Sequence, residues 1–181
     1  MKLSKPHSEG ISVLLIRPIT SDDWSEYRKV RLSALKDAPD AFGSTWEQEA
    51  ILPDEEWSAR TIVSASGQSG RGFFAVHGDE VCGLVWCLLS GVDPQIAHIY
   101  ALWTAPIARG QGAGRALLEQ CIAWARSRGA HTISLSVTKA ESPAMRLYTS
   151  RGFYPVGETE FLRPGSDLKA QKMQLDLAVD S

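Results

Sequence analysis

The sequence has few cysteines, no long apolar run and almost no net charge. Its three cysteines, Cys82, Cys87 and Cys121, lie in apolar runs without metal-ligand spacing, which predicts buried free thiols and no metal site. No apolar run approaches the roughly 20 residues that a membrane helix needs. With 22% charged residues and a formal net charge of −2, the overall balance does not indicate binding to nucleic acid or to an anionic membrane.

The N-terminus also lacks the uninterrupted apolar centre of a signal peptide. Together with the unpaired cysteines, this predicts a cytoplasmic protein. Residues 1–10 are polar and are expected to be flexible. Residues 11–181 are enough for one domain with a core and too few for two ordinary ones, so a single domain is predicted.

A strand, a glycine-rich turn and a helix follow one another between residues 95 and 128. Residues 96–104 are β-branched and aromatic, and Pro106 ends that run. Glycines recur between 109 and 114 and free the backbone to turn and to present consecutive N–H groups. From Arg115 onward apolar residues recur at helical spacing, so a helix N-terminus would face the turn. This order predicts a site for phosphate or pyrophosphate, unless the stretch is an ordinary glycine-rich turn.

Three kinds of phosphate loop can be separated by residue type. The Walker loop ends in GK[ST], but Gly114 is followed by Arg115 and Ala116. The dinucleotide-binding fingerprint G-x-G-x-x-G would need a glycine where Arg115 stands. What remains is Arg109-x-x-Gly112-x-Gly114, which resembles the acyl-CoA pyrophosphate loop of the GNAT superfamily of N-acetyltransferases.

A second signature strengthens the resemblance. Ala144-x-x-Leu147-Tyr148 is followed by Gly152-Phe153, which is similar to the second GNAT signature. Two separated signatures in the right order are more specific than either alone.

The remaining periodic segments complete the expected fold. Strands are predicted at 11–17, 73–77, 81–89, 96–104, 132–137, 153–156 and 171–177, and helices at 21–35, 53–63, 115–128 and 143–151. Residues 40–49 are interpreted as a connection. The mixed order predicts an α/β or α+β domain of three layers, and the resemblance implies a twisted mixed sheet of about seven strands flanked by about four helices.

The resemblance implies direct acetyl transfer from acetyl-CoA to an amine of a small molecule, a peptide or a protein. In that family the central strand splits from its neighbour and the pantetheine arm lies in the gap. The backbone of Leu102, Trp103 and Thr104 would pair with that arm, and the Leu102 N–H would stabilise the thioester oxygen as it becomes anionic. The residues that would hold the pyrophosphate are Arg109, Gly110, Gln111, Gly112, Ala113, Gly114 and Arg115.

Acid and base candidates follow from the same resemblance. By the resemblance, Tyr148 occupies the position of the family's general acid. A phenol is still protonated at neutral pH and can protonate the leaving sulfur. His98 stands where relatives often carry a glutamate and is one candidate base. Glu47 and Glu49, beside Phe42 and Trp46, are alternatives that could also attract a cationic amine. Each of these residues could instead be structural or merely solvated.

The sequence departs from the family pattern at one position, and it leaves open two alternatives to acetyl transfer. Glu141 stands where many relatives have an asparagine, which puts any polar contact from that position to the cofactor in doubt. A CoA-binding sensor or structural protein with the same fold and no turnover is the alternative function, and the intact loop and Tyr148 weigh against it. A dinucleotide-dependent enzyme is disfavoured by Arg115. The resemblance also allows a homodimer.

Overall fold

The computed structural model describes residues 13–178. The predicted flexible segment 1–10 and the first two residues of the predicted strand 11–17 lie outside the described residues. The strands are β1 Leu14–Pro18, β2 Gly70–His77, β3 Glu80–Leu89, β4 Ile96–Thr104, β5 Thr132–Thr138, β6 Tyr154–Pro155, β7 Glu160–Phe161 and β8 Lys169–Asp176. The helices are α1 Trp24–Asp37, α2 Trp46–Ala50, α3 Asp54–Ser66, α4 Ala113–Ser127 and α5 Pro143–Arg151.

All the strands belong to one mixed sheet. Its order is β1-β2-β3-β4-β5-β8-β6, and β7 also pairs with β8. The β4–β5 pair is parallel and the other pairs are antiparallel. Parallel neighbours need a crossover, and α4 supplies it. The predicted mixed α/β class is therefore confirmed.

Helices cover both faces of the sheet and form two apolar clusters. On one face α1 and α3 pack on β2, β3 and β4, and Tyr27 stands edge-on to Trp57 and Trp86 with ring centroids 5.5 and 5.3 Å apart. On the other face α4 buries Leu117, Leu118 and other apolar residues against the strands. These faces make the three layers that the sequence predicts.

A fifth helix, α2, replaces part of the predicted connection 40–49. Thr45 and Gln48 form a capping box, in which Thr45 Oγ1 accepts from the Gln48 N–H at 3.3 Å and Gln48 Oε1 accepts from the Thr45 N–H at 3.0 Å. The interpretation of this segment as a plain connection was wrong, because the Thr-x-x-Gln pattern is itself a helix-start signal. The short strand β7 was also missed and brings the sheet to eight strands.

Two helix ends define the geometry of the candidate site. Gly112, with φ of 84°, stands at the N-cap of α4, so the helix begins two residues before the predicted start at Arg115. Ser142 caps α5, because its hydroxyl accepts from the Met145 N–H at 3.1 Å, and Gly152 ends it with φ of 100°.

Between residues 13 and 178, no helix is long and apolar enough to cross a membrane.

Candidate active site at the split between two central strands

The sheet opens between β4 and β5. The two strands pair at three positions only, from Ile96 with Thr132 to His98 with Ser134. Beyond them β4 continues beside β3 as far as Thr104, and β5 continues beside β8 as far as Thr138. A cavity of about 1570 Å³, here called the β4–β5 cleft, lies along this gap. One edge of each strand therefore faces the cleft instead of a neighbouring strand.

A bulge changes the direction of β4 where it enters the gap. Tyr100 pairs with Trp86 and Trp103 with Leu84, so Ala101 and Leu102 together oppose a single residue of β3. Ala101 has φ of 58°, an uncommon value for a residue with a Cβ. Bulges of this kind disrupt the ladder and redirect backbone groups beside functional sites. The bulge lies at the position where the sequence predicts an N–H donor, Leu102.

The glycine-rich turn closes one end of the cleft. Gly110 and Gly112 have φ of 76° and 84°, and a Cβ added to either would meet no atom within 4 Å. Glycine is therefore needed there for its conformation and not for space. A Cβ on Gly114, within the first turn of α4, would lie 3.5 Å from Leu147 Cδ2 and from Thr104 Oγ1. The N-terminus of a 15-residue helix thus opens onto the cleft with little side-chain bulk around it.

The two arginines of this loop have different surroundings. Arg109 donates through Nε to the Thr104 carbonyl oxygen at 3.2 Å and through Nη2 to the carboxylate of Asp37. Arg115 lines the cleft and has no ion pair with any residue from 13 to 178. Its guanidinium is the loop cation available to a phosphate group.

Tyr148 lines the cleft from α5. The residue is buried, its ring centroid lies 5.7 Å from that of Phe153, and its hydroxyl makes no hydrogen bond to another residue between 13 and 178. Burial, followed by the nearby Cys121 thiol, raises the pKa of Tyr148 above its usual value. The phenol therefore keeps its proton at neutral pH, as a general acid must before it acts.

His98 lies where the two strands separate. It is half-buried, lines the cleft and stands with its ring centroid 6.0 Å from that of Tyr100. Burial, and then the positive charge of Lys172, lower the pKa of His98 below 6.5. The imidazole is therefore mostly neutral at pH 7 and can accept a proton.

Most of the predicted site residues lie together in the β4–β5 cleft. Those that line it are Phe42, His98, Leu102, Trp103, Thr104, Arg109, Gly110, Gly112, Ala113, Gly114, Arg115 and Tyr148. Gln111 is outside the lining, and its side-chain amide donates to the Ile107 carbonyl oxygen at 3.2 Å. Trp46 and Glu47 line a separate pocket of about 290 Å³. Glu141 is exposed and is also outside the cleft lining.

Glu49 is outside the cleft lining and is held in an ion-pair network with Arg31, which does line the cleft, and Arg60. One oxygen accepts from Arg31 Nη2 at 2.9 Å and the other from Arg60 Nη1 at 3.1 Å. Burial alone would raise the pKa of Glu49, but the hydrogen bonds and charges of Arg31 and Arg60 outweigh it, so the pKa lies below its usual value. A carboxylate occupied in this way holds α1, α2 and α3 together and is not placed to bind a substrate amine.

We expect Glu49→Gln to lower the free energy of unfolding at pH 7 by about 3 kcal/mol, because it leaves the buried Arg31 without a counter-charge and removes one of the two carboxylates that pair with the partly exposed Arg60. A carboxylate whose folded pKa is depressed contributes its full stability above its unfolded pKa and loses it as pH falls through the folded pKa. The difference from wild type should therefore shrink below about pH 4.5. Urea unfolding at pH 7 and pH 4 measures both effects. Glu47→Gln, on the exposed neighbour, is the control and should change stability by less than about 0.5 kcal/mol.

Sequence reasoning missed many of the residues that line the cleft, and Asp37 and Lys172 are two charged examples. Asp37 belongs to no motif, and only its contacts with Trp103 and Arg109 mark it. Lys172 lines the cleft from β8. The alternation of Met173 and Leu175 into the core could have placed Lys172 on the opposite face, but could not have placed β8 beside the cleft.

Comparison with known proteins agrees with this geometry. Residues 27–153 match the family model described as the acetyltransferase (GNAT) family. A mycothiol acetyltransferase from Thermobispora bispora is 38% identical over 150 residues, which cover 80% of this chain and 47% of that protein. The chain spans less than half the length of the curated mycothiol acetyltransferases that it matches.

Solved structures show the same fold. A GNAT acetyltransferase from Streptococcus pneumoniae has a TM-score of 0.79 at 21% identity, over 91% of this chain and 100% of that one. A putative acetyltransferase from Salmonella typhimurium, solved with acetyl-CoA, has a TM-score of 0.77 at 18% identity, over 94% and 97% of the two chains. With its fold, its two signatures and the match over residues 27–153, this chain belongs to the acetyltransferase (GNAT) family.

Proposed function

We propose that the protein transfers the acetyl group of acetyl-CoA directly to an amine of a small molecule, a peptide or a protein. The observation that carries the proposal is the β4–β5 cleft, which has a helix N-terminus at one end and Tyr148 in its wall. A strand edge suits an extended amide-bearing arm, and a helix N-terminus suits a pyrophosphate. The cleft therefore fits a ligand that carries both groups, as acetyl-CoA does.

The backbone would bind and orient the cofactor. Leu102, Trp103 and Thr104 lie on the β4 edge that faces the gap, and their N–H and C=O groups would pair with the pantetheine amides. The first N–H groups of α4 and the Arg115 guanidinium would hold the pyrophosphate. The N–H of Leu102, beside the bulge, would donate to the thioester oxygen as that oxygen gains negative charge, a contribution of roughly 3 kcal/mol.

Two side chains would move the protons of the reaction. The amine must be neutral to attack, and His98, mostly neutral at pH 7, would accept the proton that the nitrogen releases, directly or through water. As the carbon–sulfur bond breaks, Tyr148 would give its proton to the departing thiolate. The products are the N-acetylated amine and free CoA. A water-mediated base without His98 is the competing route.

The test is release of free CoA thiol with acetyl-CoA and a panel of amines, followed by mass measurement of the acetylated product. Product that grows by one acetyl group supports the proposal. Tight acetyl-CoA binding without turnover on any amine would favour the alternative, a CoA-binding sensor or structural protein. Binding of NAD in place of acetyl-CoA would support the other alternative, a dinucleotide-dependent enzyme.

If His98 is the base, we expect His98→Gln to lower kcat roughly 100-fold while the dissociation constant of acetyl-CoA changes little. In the wild type, kcat/KM should fall as pH drops through a pKa below 6.5, since protonated His98 cannot accept a proton. Glutamine cannot titrate, so this fall of kcat/KM at low pH should disappear in the variant. A pH profile of both proteins measures this, and an unchanged fall would assign the base to another group.

Assembly and location follow as further proposals. The cysteines described by the structure are free and buried, which supports the predicted reducing, cytoplasmic environment. The resemblance supports a homodimer, and sedimentation equilibrium tests it.

A further inference from the structure

Asp37 joins three parts of the candidate cofactor site. It is the last residue of α1, and its Oδ2 accepts a hydrogen bond from Trp103 Nε1 at 2.9 Å. The same oxygen accepts from Arg109 Nη2, and Arg109 Nε donates to the Thr104 carbonyl oxygen at 3.2 Å. One carboxylate therefore connects α1, the end of β4 and the beginning of the glycine-rich turn.

These contacts change the role that the sequence suggests for Arg109. Its guanidinium uses Nε and Nη2 on protein oxygens and is anchored towards α1 and β4. Arginine has a planar, rigid fork of donors, so an anchored guanidinium fixes the backbone from which it projects. The residue that follows is Gly110, with φ of 76°, which has no Cβ to restrict its own conformation. The loop needs an external anchor, and Arg109 supplies it.

We propose that Asp37 is a positioning residue for acetyl-CoA binding: by holding Arg109 and Trp103 it fixes the shape of the turn whose N–H groups receive the pyrophosphate. This inference rests on the proposed function. Asp37 itself touches no reacting atom. It acts through the backbone of residues 104–112, so its loss weakens cofactor binding and leaves the chemical step intact.

The exposure of the pair separates this role from a purely structural one. The side chains of Arg109 and Asp37 are 50% and 25% exposed. Ion pairs this exposed contribute little to global stability, so removal of the charge should lower the melting temperature by no more than about 5 °C. Asn at position 37 can still accept from Trp103 Nε1 through its amide oxygen. Asp37→Asn therefore removes the charge with little change of shape.

The experiment is calorimetric titration of the full chain with acetyl-CoA. We expect Asp37→Asn to raise the dissociation constant about tenfold, and Arg109→Gln to raise it by a similar factor. The double variant should bind no more weakly than Arg109→Gln alone, since both changes break one contact. Asp79→Asn is the control. It removes the same charge from the exposed turn between β2 and β3, which is outside the cleft lining, and it should shift the constant by less than about twofold.

Kinetics provide the second measurement. KM for acetyl-CoA should rise about tenfold in Asp37→Asn, with kcat within about twofold of wild type. A role limited to stability would lower the folded fraction without a change in KM. If Asp37 only kept Arg109 away from the phosphates, Asp37→Asn would bind acetyl-CoA more tightly. Tighter or unchanged binding, or additive losses in the double variant, would overturn the proposal.

Hydrogen–deuterium exchange of the ligand-free protein keeps the two proposals separate. Asp37→Asn should speed exchange in residues 105–112, whereas Asp79→Asn should not. Should the wild type fail to bind acetyl-CoA, the proposed function would fall, and exchange would still decide whether Asp37 orders the turn. Equal exchange in wild type and Asp37→Asn would overturn the inference.

Discussion

Tyr148→Phe is expected to lower kcat at least roughly 100-fold and to leave the dissociation constant of acetyl-CoA within about twofold of wild type. The substitution deletes one hydroxyl from the wall of the β4–β5 cleft and keeps the ring that packs against Phe153. The leaving thiolate then has no acid beside it. Because the tyrosine hydroxyl makes no hydrogen bond to residues 13–178, its removal breaks no structural contact among them and should change stability little. Steady-state kinetics and calorimetry on the same preparation measure the two effects.

Tyr154→Phe is the matched control. It removes the same atom from an exposed tyrosine outside the cleft, whose hydroxyl bonds to the Asp176 carboxylate at 3.0 Å. We expect its kcat to stay within about twofold of wild type. Equal activity of Tyr148→Phe and wild type would remove the acid role and leave Tyr148 as a packing residue.

The combined change Gly112→Val and Gly114→Val is expected to weaken acetyl-CoA binding by at least roughly 100-fold. Gly112 has φ of 84° at the N-cap of α4, where valine is strained, and its side chain would stand beside the first helical N–H groups. At Gly114, a Cβ already touches Leu147 and Thr104, so the extra methyl groups would extend into the cleft lining. Backbone approach to a pyrophosphate is thereby blocked. Calorimetry measures the loss.

Gly129→Val separates strain from lost binding. Gly129 lies just beyond the other end of α4, has φ of 81° and has no atom within 4 Å of an added Cβ. Its valine variant carries similar backbone strain far from the proposed phosphate site, so it should lose stability and keep its affinity. Circular dichroism confirms that each variant is folded. Near wild-type affinity in a folded double variant would mean that the turn does not hold the cofactor.

The parts of the site that the sequence could predict are those that depend on residues close together in the chain. The turn at 109–114 and the helix after it combine glycines with helical periodicity, and Ser142 before Pro143 marks the start of α5. Such signals depend on residues a few positions apart, so one chain suffices to read them. The mixed fold followed from the order of elements and was confirmed. The single domain at 11–181 stays a prediction.

The parts that could not be predicted depend on residues far apart in sequence. Asp37 and Arg109 are separated by 72 positions, and Glu49 meets Arg31 across 18. Acids in a helix or a connection look alike whether they face solvent, an ion pair or a substrate. The sequence therefore suggested an amine-attracting role for Glu49, whereas in the folded protein its carboxylate pairs with the buried Arg31 and the partly exposed Arg60. Arg109 was expected to bind a phosphate, but its guanidinium pairs with the Asp37 carboxylate.

The short pairing between β4 and β5 would also make the amount of folded protein depend on the proposed cosubstrate, acetyl-CoA. Three paired positions hold the central strands together, and beyond them each strand has an edge without a neighbour. A ligand that occupies this gap binds the native state and not the unfolded chain, so it adds RT ln(1 + [L]/Kd) to the free energy of unfolding, about 2.7 kcal/mol at a hundredfold excess over Kd. The population of unfolded chains available to proteases would then fall as acetyl-CoA rises. A cell with a high concentration of acetyl-CoA would therefore contain more of the folded protein.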